Sequence, residues 1–174
     1  MTRFINKGFT LFELIISLLI LGLISVVGIS SYKALIANQA LTSRIDQIYY
    51  TLQFAKSEAI KRNKKIYVQF CNQQQSWKIG ISESSHCDCF TQGSCQLSGI
   101  EKIQDAADGQ ILLIDDEAIT FTSNQTSYDT MRFSVETGSL TLKNSEGNSL
   151  SIIQSAMRMR VCSKEKAQLG YPKC

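Results

Sequence analysis

Two arginines stand one residue apart near the carboxyl end, in Met157-Arg158-Met159-Arg160-Val161-Cys162, and Lys164, Lys166 and Lys173 follow in the same tail. Arginine's planar fork fits phosphate oxygens bidentately and lysine adds a point charge, so this group of cations suits a ladder of phosphates. If the segment is a strand, alternation puts Met157, Met159 and Val161 toward the core and both arginines outward, about 7 Å apart. The bland alternative is a solvated outer sheet face. Charge distribution marks the tail out. Between residues 83 and 129 there are nine acids and one base, whereas between 157 and 174 there are five bases and one acid. An acidic middle and a basic tail leave the tail as the candidate anion-binding patch.

Six cysteines, Cys71, Cys87, Cys89, Cys95, Cys162 and Cys174, all lie beyond the hydrophobic N-terminal segment. An even number in that part of the chain implies disulfides in an oxidising compartment. Cys162 and Cys174 bracket a short tail holding Pro172; a bridge closing a loop of that size is worth ~3 kcal/mol in the chain-entropy account. The other four allow three pairings, and the sequence does not choose among them. His86-Cys87-Asp88-Cys89 with Cys95 resembles a zinc set only loosely, since the two-residue knuckle is missing and oxidation competes. Asp115-Asp116-Glu117 lacks the spaced ligands of a calcium loop and reads as a solvated turn. There is one histidine, no nucleophile motif and no phosphate-binding glycine loop. The expectation is a binding protein without catalytic residues, metal or cofactor.

The other chemically notable residue is Glu13. It follows Arg3, Lys7 and Gly8-Phe9-Thr10-Leu11-Phe12, and it sits inside an apolar run that reaches Ile29. That run is long enough to cross a bilayer, with the positive flank on the cytoplasmic side. No small-residue cleavage site follows it, as an ordinary secretory signal would require. A plain signal anchor explains the length and the flank but not the carboxylate. A lone charge there costs about 2.5–3.5 kcal/mol on insertion scales and marks a functional position.

The elements that must position these residues follow from periodicity. Leu41, Ile45, Ile48, Leu52, Ala55 and Ala59 recur at alternating intervals of four and three, a helical stripe. With no proline before Pro172, one helix is expected over residues 9–62, ended by the basic run Lys61-Arg62-Asn63-Lys64-Lys65. That run reads as a helix end with a solvated face. Beyond it the period becomes two, predicting strands over 66–70, 77–81, 110–114, 118–122, 131–135, 139–143, 149–153 and 157–162, paired antiparallel through short turns. Gly138 and Ser145-Glu146-Gly147-Asn148 read as hairpin turns, and residues 82–99 as an irregular loop.

The N-terminus closely resembles the class III leader of type IV pilins and type II secretion pseudopilins. The resemblance implies cleavage between Gly8 and Phe9 by a prepilin peptidase and N-methylation of Phe9. It also implies that Glu13 meets the N-terminal amine of a neighbouring subunit in a filament, which would neutralise both charges. The head landmarks are Leu52-Gln53-Phe54-Ala55-Lys56-Ser57-Glu58-Ala59-Ile60-Lys61-Arg62-Asn63, then Cys71, Trp77 and Gly80, and later Arg132-Phe133 before Gly138. They resemble GspH/FimT-type pseudopilins. FimT-type minor pilins carry a Gly-Arg-x-Arg motif and bind DNA in natural transformation; this chain matches at Arg158 and Arg160 and departs at the glycine, which is Met157.

These readings combine into an α+β, type IV pilin-like fold with one long N-terminal helix packed on an antiparallel β-sheet head. Residues 1–8 form the leader, 9–31 the transmembrane and filament-core half of the helix, 32–63 its amphipathic half, and 64–174 the β-rich head with its basic tail. The expected protein is a minor type IV pilin that binds DNA non-specifically through Arg158, Arg160, Lys164, Lys166 and Lys173 and aids DNA uptake. The alternative is a pilin or pseudopilin that primes assembly of a pilus or a type II secretion filament without binding DNA. Expected partners are other pilins, a prepilin peptidase, the inner membrane and double-stranded DNA. The head would be periplasmic before assembly and in the pilus at the cell surface after it.

The mature protein is predicted to begin at Phe9. N-terminal mass spectrometry of membrane-extracted protein checks it; a mature start beyond Ile29 would rule out the pilin-type leader.

Overall fold

The computed structural model describes residues 8–74, 76–107, 112–113, 118–129 and 134–174, without the side chains of 26–30, 113 and 134. The chain divides into two compact units, residues 1–36 and 37–174. The helix α1 covers Leu11–Arg62. In the first unit Phe9, Leu11, Phe12, Leu18 and Leu19 are exposed apolar side chains. Among the described residues no helix is long and apolar enough to cross a membrane. The span expected over 9–31 includes side chains 26–30, which lie outside the described residues, as do residues 1–7 of the expected leader.

In the second unit, the stripe Leu41, Ile45, Ile48, Leu52, Ala55 and Ala59 is buried as its spacing requires, each residue no more than 1% exposed. The chain leaves α1 through a Schellman motif. Asn63 takes the left-handed conformation at φ 51°. Its amide donates to the Ile60 carbonyl and the Lys64 amide to the Ala59 carbonyl, both at 3.3 Å. Asparagine fills the usual glycine position because its short polar side chain tolerates that region.

Eleven named strands follow: β1 (Ile66–Gln73), β2 (Ser76–Ser82), β3 (Gln96–Leu97), β4 (Ile100–Glu101), β5 (Ile103–Ala107), β6 (Leu112–Leu113), β7 (Gln125–Asp129), β8 (Ser134–Val135), β9 (Gly138–Asn144), β10 (Ser149–Gln154) and β11 (Met159–Cys162). They form a five-stranded sheet in the order β5-β2-β1-β7-β8, a four-stranded sheet β11-β10-β9-β6, and the small β3-β4 hairpin. Every named pairing is antiparallel, as the short connections predict. The fold is α+β, a long N-terminal helix packed on antiparallel sheet. One hydrophobic core takes side chains from the helix stripe and from both larger sheets.

Four expectations need correction. Residues 118–122 do not form a strand: Ile119 makes a single bridge to Leu140 and a 3-10 turn follows at Thr122–Asn124, where Ser123 has φ 56°. Here Ala118, Ile119 and Phe121 are buried without a ladder. The strand lies just beyond, at Gln125–Asp129, where polar residues hide the signal. Those polar groups are buried and satisfied across the two sheets. The Tyr128 hydroxyl donates to Gln154 Oε1 at 2.6 Å, and Gln154 Nε2 donates to Thr126 Oγ1 at 2.8 Å and to the Glu136 carbonyl at 2.7 Å. Within residues 82–99, read as irregular, Gln96–Leu97 forms a strand that pairs as a hairpin with Ile100–Glu101 just beyond, and Ile103–Ala107, outside every predicted strand, is an edge strand. Gly138 is not a hairpin turn but the first residue of β9, paired with Gln154. Of the other predicted strands, parts of 110–114 and 131–135 lie outside the described residues, as do Arg132, Phe133 and the cluster Asp115-Asp116-Glu117.

Gly138 is glycine for want of space. A Cβ there would meet the Phe121 ring, with two of its carbons at 2.7 and 2.8 Å, and that ring is itself stacked on Phe70 at 5.5 Å. Gly138→Ala is therefore expected to destabilise the protein by about 1–3 kcal/mol through overpacking. Urea denaturation checks this, and an unchanged midpoint would refute it.

Candidate functional site

The basic tail is built on β11, an edge strand of the four-stranded sheet. Alternation works as the sequence implies: Met159 and Val161 pack against the core, Cys162 is buried, and Arg158 and Arg160 are exposed. The exception is Met157. It precedes the strand, in the turn from β10, and is exposed rather than inward-facing. Cys162 and Cys174 are bridged, the pairing read from the sequence. The tail between them folds back, with the Ser163 amide donating to the Pro172 carbonyl and the Cys174 amide to the Ser163 carbonyl, both at 2.9 Å. This sets Lys173 beside Ser163, in a parallel bridge, and so next to Lys164. Arg160 Nη2 donates to the Cys174 oxygen at 3.3 Å. The structure thus gathers Arg160, Lys164 and Lys173 on one lobe; Lys166 lies exposed in the same loop and Arg158 at the mouth of the strand.

That lobe is pinned to the head by groups whose role the sequence did not disclose. The Tyr171 hydroxyl donates to Asp46 Oδ1 on α1 at 2.6 Å, and Gln168 Nε2 to the Ser149 carbonyl at 2.9 Å. Desolvation, then the bond to the Asp46 carboxylate, holds the Tyr171 hydroxyl protonated well above its ordinary value of 10. Leu169 takes a positive φ of 52° in the tight turn between Gln168 and Tyr171, a conformation uncommon for leucine, and its side chain packs against the core.

The competing basic run at the end of α1 is engaged internally. Arg62 pairs with Glu58 at 2.5 Å and with Glu83 at 3.4 Å, and also bonds Ser98. Lys64 pairs with Glu83 at 3.1 Å, Lys61 with Glu58 at 3.7 Å, and Lys65 lies over the Tyr67 ring. The run is less a solvated face than a clamp tying the helix end to the start of the loop after β2. The hydrogen bond from Arg62 holds the Glu58 carboxyl below its ordinary 4.5, and the bond from Lys64 does the same for Glu83.

The remaining cysteines pair as Cys71–Cys89 and Cys87–Cys95, so no thiol is left for a metal. Among the described residues no group of histidine, cysteine or carboxylate side chains could hold a metal ion. Gly80 of β2 makes room for this cluster, since a Cβ there would collide with Cys95 and come within 3.0 Å of the Cys87 sulfur. At the N-terminus, Glu13 and Thr10 form a reciprocal capping box. Thr10 N and Oγ1 each donate to Glu13 Oε2 at 3.0 Å, and Glu13 N donates to Thr10 Oγ1 at 3.3 Å. The spacing Thr-x-x-Glu ahead of an apolar run signals this directly. The peptide bond between Gly8 and Phe9 lies just ahead of that cap, and both residues are exposed.

Residues 44–163 match the family of type II transport protein GspH, and residues 3–29 match the prokaryotic N-terminal methylation motif. Two fimbrial proteins of Pseudomonas aeruginosa are each 29% identical over 109 residues, 63% of this chain. The chain spans 66% of the length of these relatives. No solved structure matches the chain.

The clamp at the end of α1 sets an acid limit on stability. Carboxyls held below 4.5 in the folded state contribute stability that is present above 4.5 and lost as pH falls through their folded values. The melting temperature is expected to drop below pH 4.5, and Glu58→Gln to flatten that drop. Thermal melts across the acid range check it; parallel curves for variant and wild type would refute it.

Proposed function

The chain belongs to the family of type II transport protein GspH and carries a prokaryotic N-terminal methylation motif, and from that premise we propose that it is a minor pilin of a type IV filament that binds DNA with little sequence preference. The leader would be removed between Gly8 and Phe9 by a prepilin peptidase and Phe9 methylated. The hydrophobic half of α1 would anchor the subunit in the inner membrane and then pack among other pilins. Glu13 would exchange its local cap for a neighbour's N-terminal amine. The head would act as a binding module, with neither catalysis nor cofactor.

The observation that carries the DNA reading is the tail. Arg158 and Arg160 are exposed, and Lys164, Lys166 and Lys173 are exposed on a lobe held by a disulfide and by Tyr171. Cations on a cross-linked backbone spare the cost of ordering that backbone when they meet phosphates. Their only acidic neighbour in that stretch of sequence is Glu165. Of the rival cations at the end of α1, Lys61, Arg62 and Lys64 are already paired with Glu58 and Glu83, and Lys65 lies over the Tyr67 ring. A second reading has its own observation. β11 is an edge strand, and charged side chains blunt edges against unwanted pairing. The arginines would then serve only that purpose, in a subunit that primes a pilus or a type II secretion filament, the latter in keeping with the matched family's name.

The full chain in neutral detergent micelles should bind duplex DNA weakly, with affinity falling as salt rises. Two to five phosphate contacts give a log–log slope of roughly −2 to −4.5. Arg158→Gln and Arg160→Gln should each weaken binding and flatten the slope by about one unit, with unchanged circular dichroism. Fluorescence anisotropy at several salt concentrations reads this out. A double arginine variant that binds as tightly as wild type at equal salt would leave the priming role as the surviving reading.

A further inference from the structure

Met157 is 93% exposed, the most exposed large apolar side chain among the described residues. It sits in the turn Ser155-Ala156-Met157-Arg158 that joins β10 to β11. The turn is closed by three hydrogen bonds between its ends. The Ser155 amide and hydroxyl each donate to the Arg158 carbonyl at 2.9 Å, and the Arg158 amide donates to Ser155 Oγ at 3.2 Å. The tip is therefore a fixed presentation, held away from the core that takes Met159 two residues later. An apolar side chain held in water gains free energy from any partner that covers it.

The surroundings restrict that partner. Arg158 follows directly and Arg160 lies two residues beyond, both exposed. A matching surface must be anionic at its rim and apolar just inside. A DNA duplex has that profile, with phosphates outside and stacked base faces within. Proteins that exploit it insert a single apolar wedge between base pairs, methionine among the residue types used, while cations hold the adjacent phosphates. The unbranched thioether side chain adapts to an irregular gap. An anionic lipid surface shares the profile but calls for a broad apolar face. Here the residues before Met157 are only serine and alanine.

We propose that Met157 is a wedge that enters a base step of bound duplex DNA while Arg158 and Arg160 hold the flanking phosphates. This rests on the DNA-binding reading above. It gives the motif's departure from glycine a role of its own: the arginines supply salt-dependent attraction and Met157 a salt-independent part. Insertion unstacks a step, so sites with easily opened pyrimidine–purine steps are favoured over stiff A-tracts.

The test uses the full chain in neutral-lipid nanodiscs and duplexes carrying 2-aminopurine at a TA step. Wild type should raise the 2-aminopurine fluorescence on binding and should prefer this duplex to an A-tract. Met157→Ala should bind about fivefold more weakly, lose the fluorescence rise and the preference, and keep the salt slope of wild type; Met157→Leu should retain all three. Wild-type affinity or an undiminished fluorescence rise in Met157→Ala overturns the wedge, as does a flattened salt slope, which would mean that Met157 acts through the arginines. If the double arginine variant loses binding while Met157→Ala keeps it, the wedge alone falls. If wild type binds no DNA, both readings fall. Protection of Met157 from oxidation by anionic-lipid nanodiscs without DNA would overturn the wedge in favour of a membrane contact.

Discussion

Burial of one face of α1 is the constraint on which the head depends. Leu41, Ile45, Ile48, Leu52, Ala55 and Ala59 lose essentially all contact with water, in one core with apolar side chains from both larger sheets. Polar side chains along the flanks of the same helix then hold the head's segments in place. Asn38 Oδ1 receives bonds from Asn144 and Asn148 at the β9–β10 turn, Arg44 donates to the Asp105 carbonyl, Asp46 accepts from Tyr171, and Thr51 bonds Gln104. Glu58 and Arg62 complete the series at the helix end. Apolar burial supplies the free energy, and these bonds fix where each loop lies. The tail lobe inherits its rigidity from this arrangement through Tyr171.

What the sequence disclosed follows from where the information resides. The helix was legible because its stripe is a one-dimensional pattern, and β1, β2, β9 and β10 because one face of each is apolar. β7 was not, since Gln125, Thr126 and Ser127 look like loop residues until their partners are in place: Gln69 on the neighbouring strand, Gln154 from the other sheet, and Glu136 from the link between β8 and β9. The Cys162–Cys174 bridge was legible because its loop has no rival pairing nearby. The other two bridges depend on how the loop after β2 folds over Gly80, which spacing does not reveal. At the tail, alternation gave the outward arginines correctly. It failed at Met157, because the strand begins two residues later than its pattern suggests.

The N-terminal unit makes a related point. Glu13 stood out as a carboxylate in an apolar run, and its meaning came from a resemblance. The cap with Thr10 gives it a local physical role as well, since its oxygen takes up two donors at the helix start and its charge sits at the positive end of the helix dipole. A subunit waiting to be assembled thus carries that charge already partnered.

The two bridges near β2 are interleaved along the chain: Cys71 joins Cys89, and Cys87, which lies between them, joins Cys95. A chain oxidised as it emerges amino end first offers Cys71 and Cys87 to each other before either native partner has arrived. That first pairing is wrong, and it stands until a thiolate attacks it. Thiol–disulfide exchange runs on seconds to hours unless an isomerase assists. The supply of finished subunits is therefore tied to the shuffling capacity of the compartment where the head folds, a dependence that the sequential pairing of Cys71 with Cys87 and Cys89 with Cys95 would not impose.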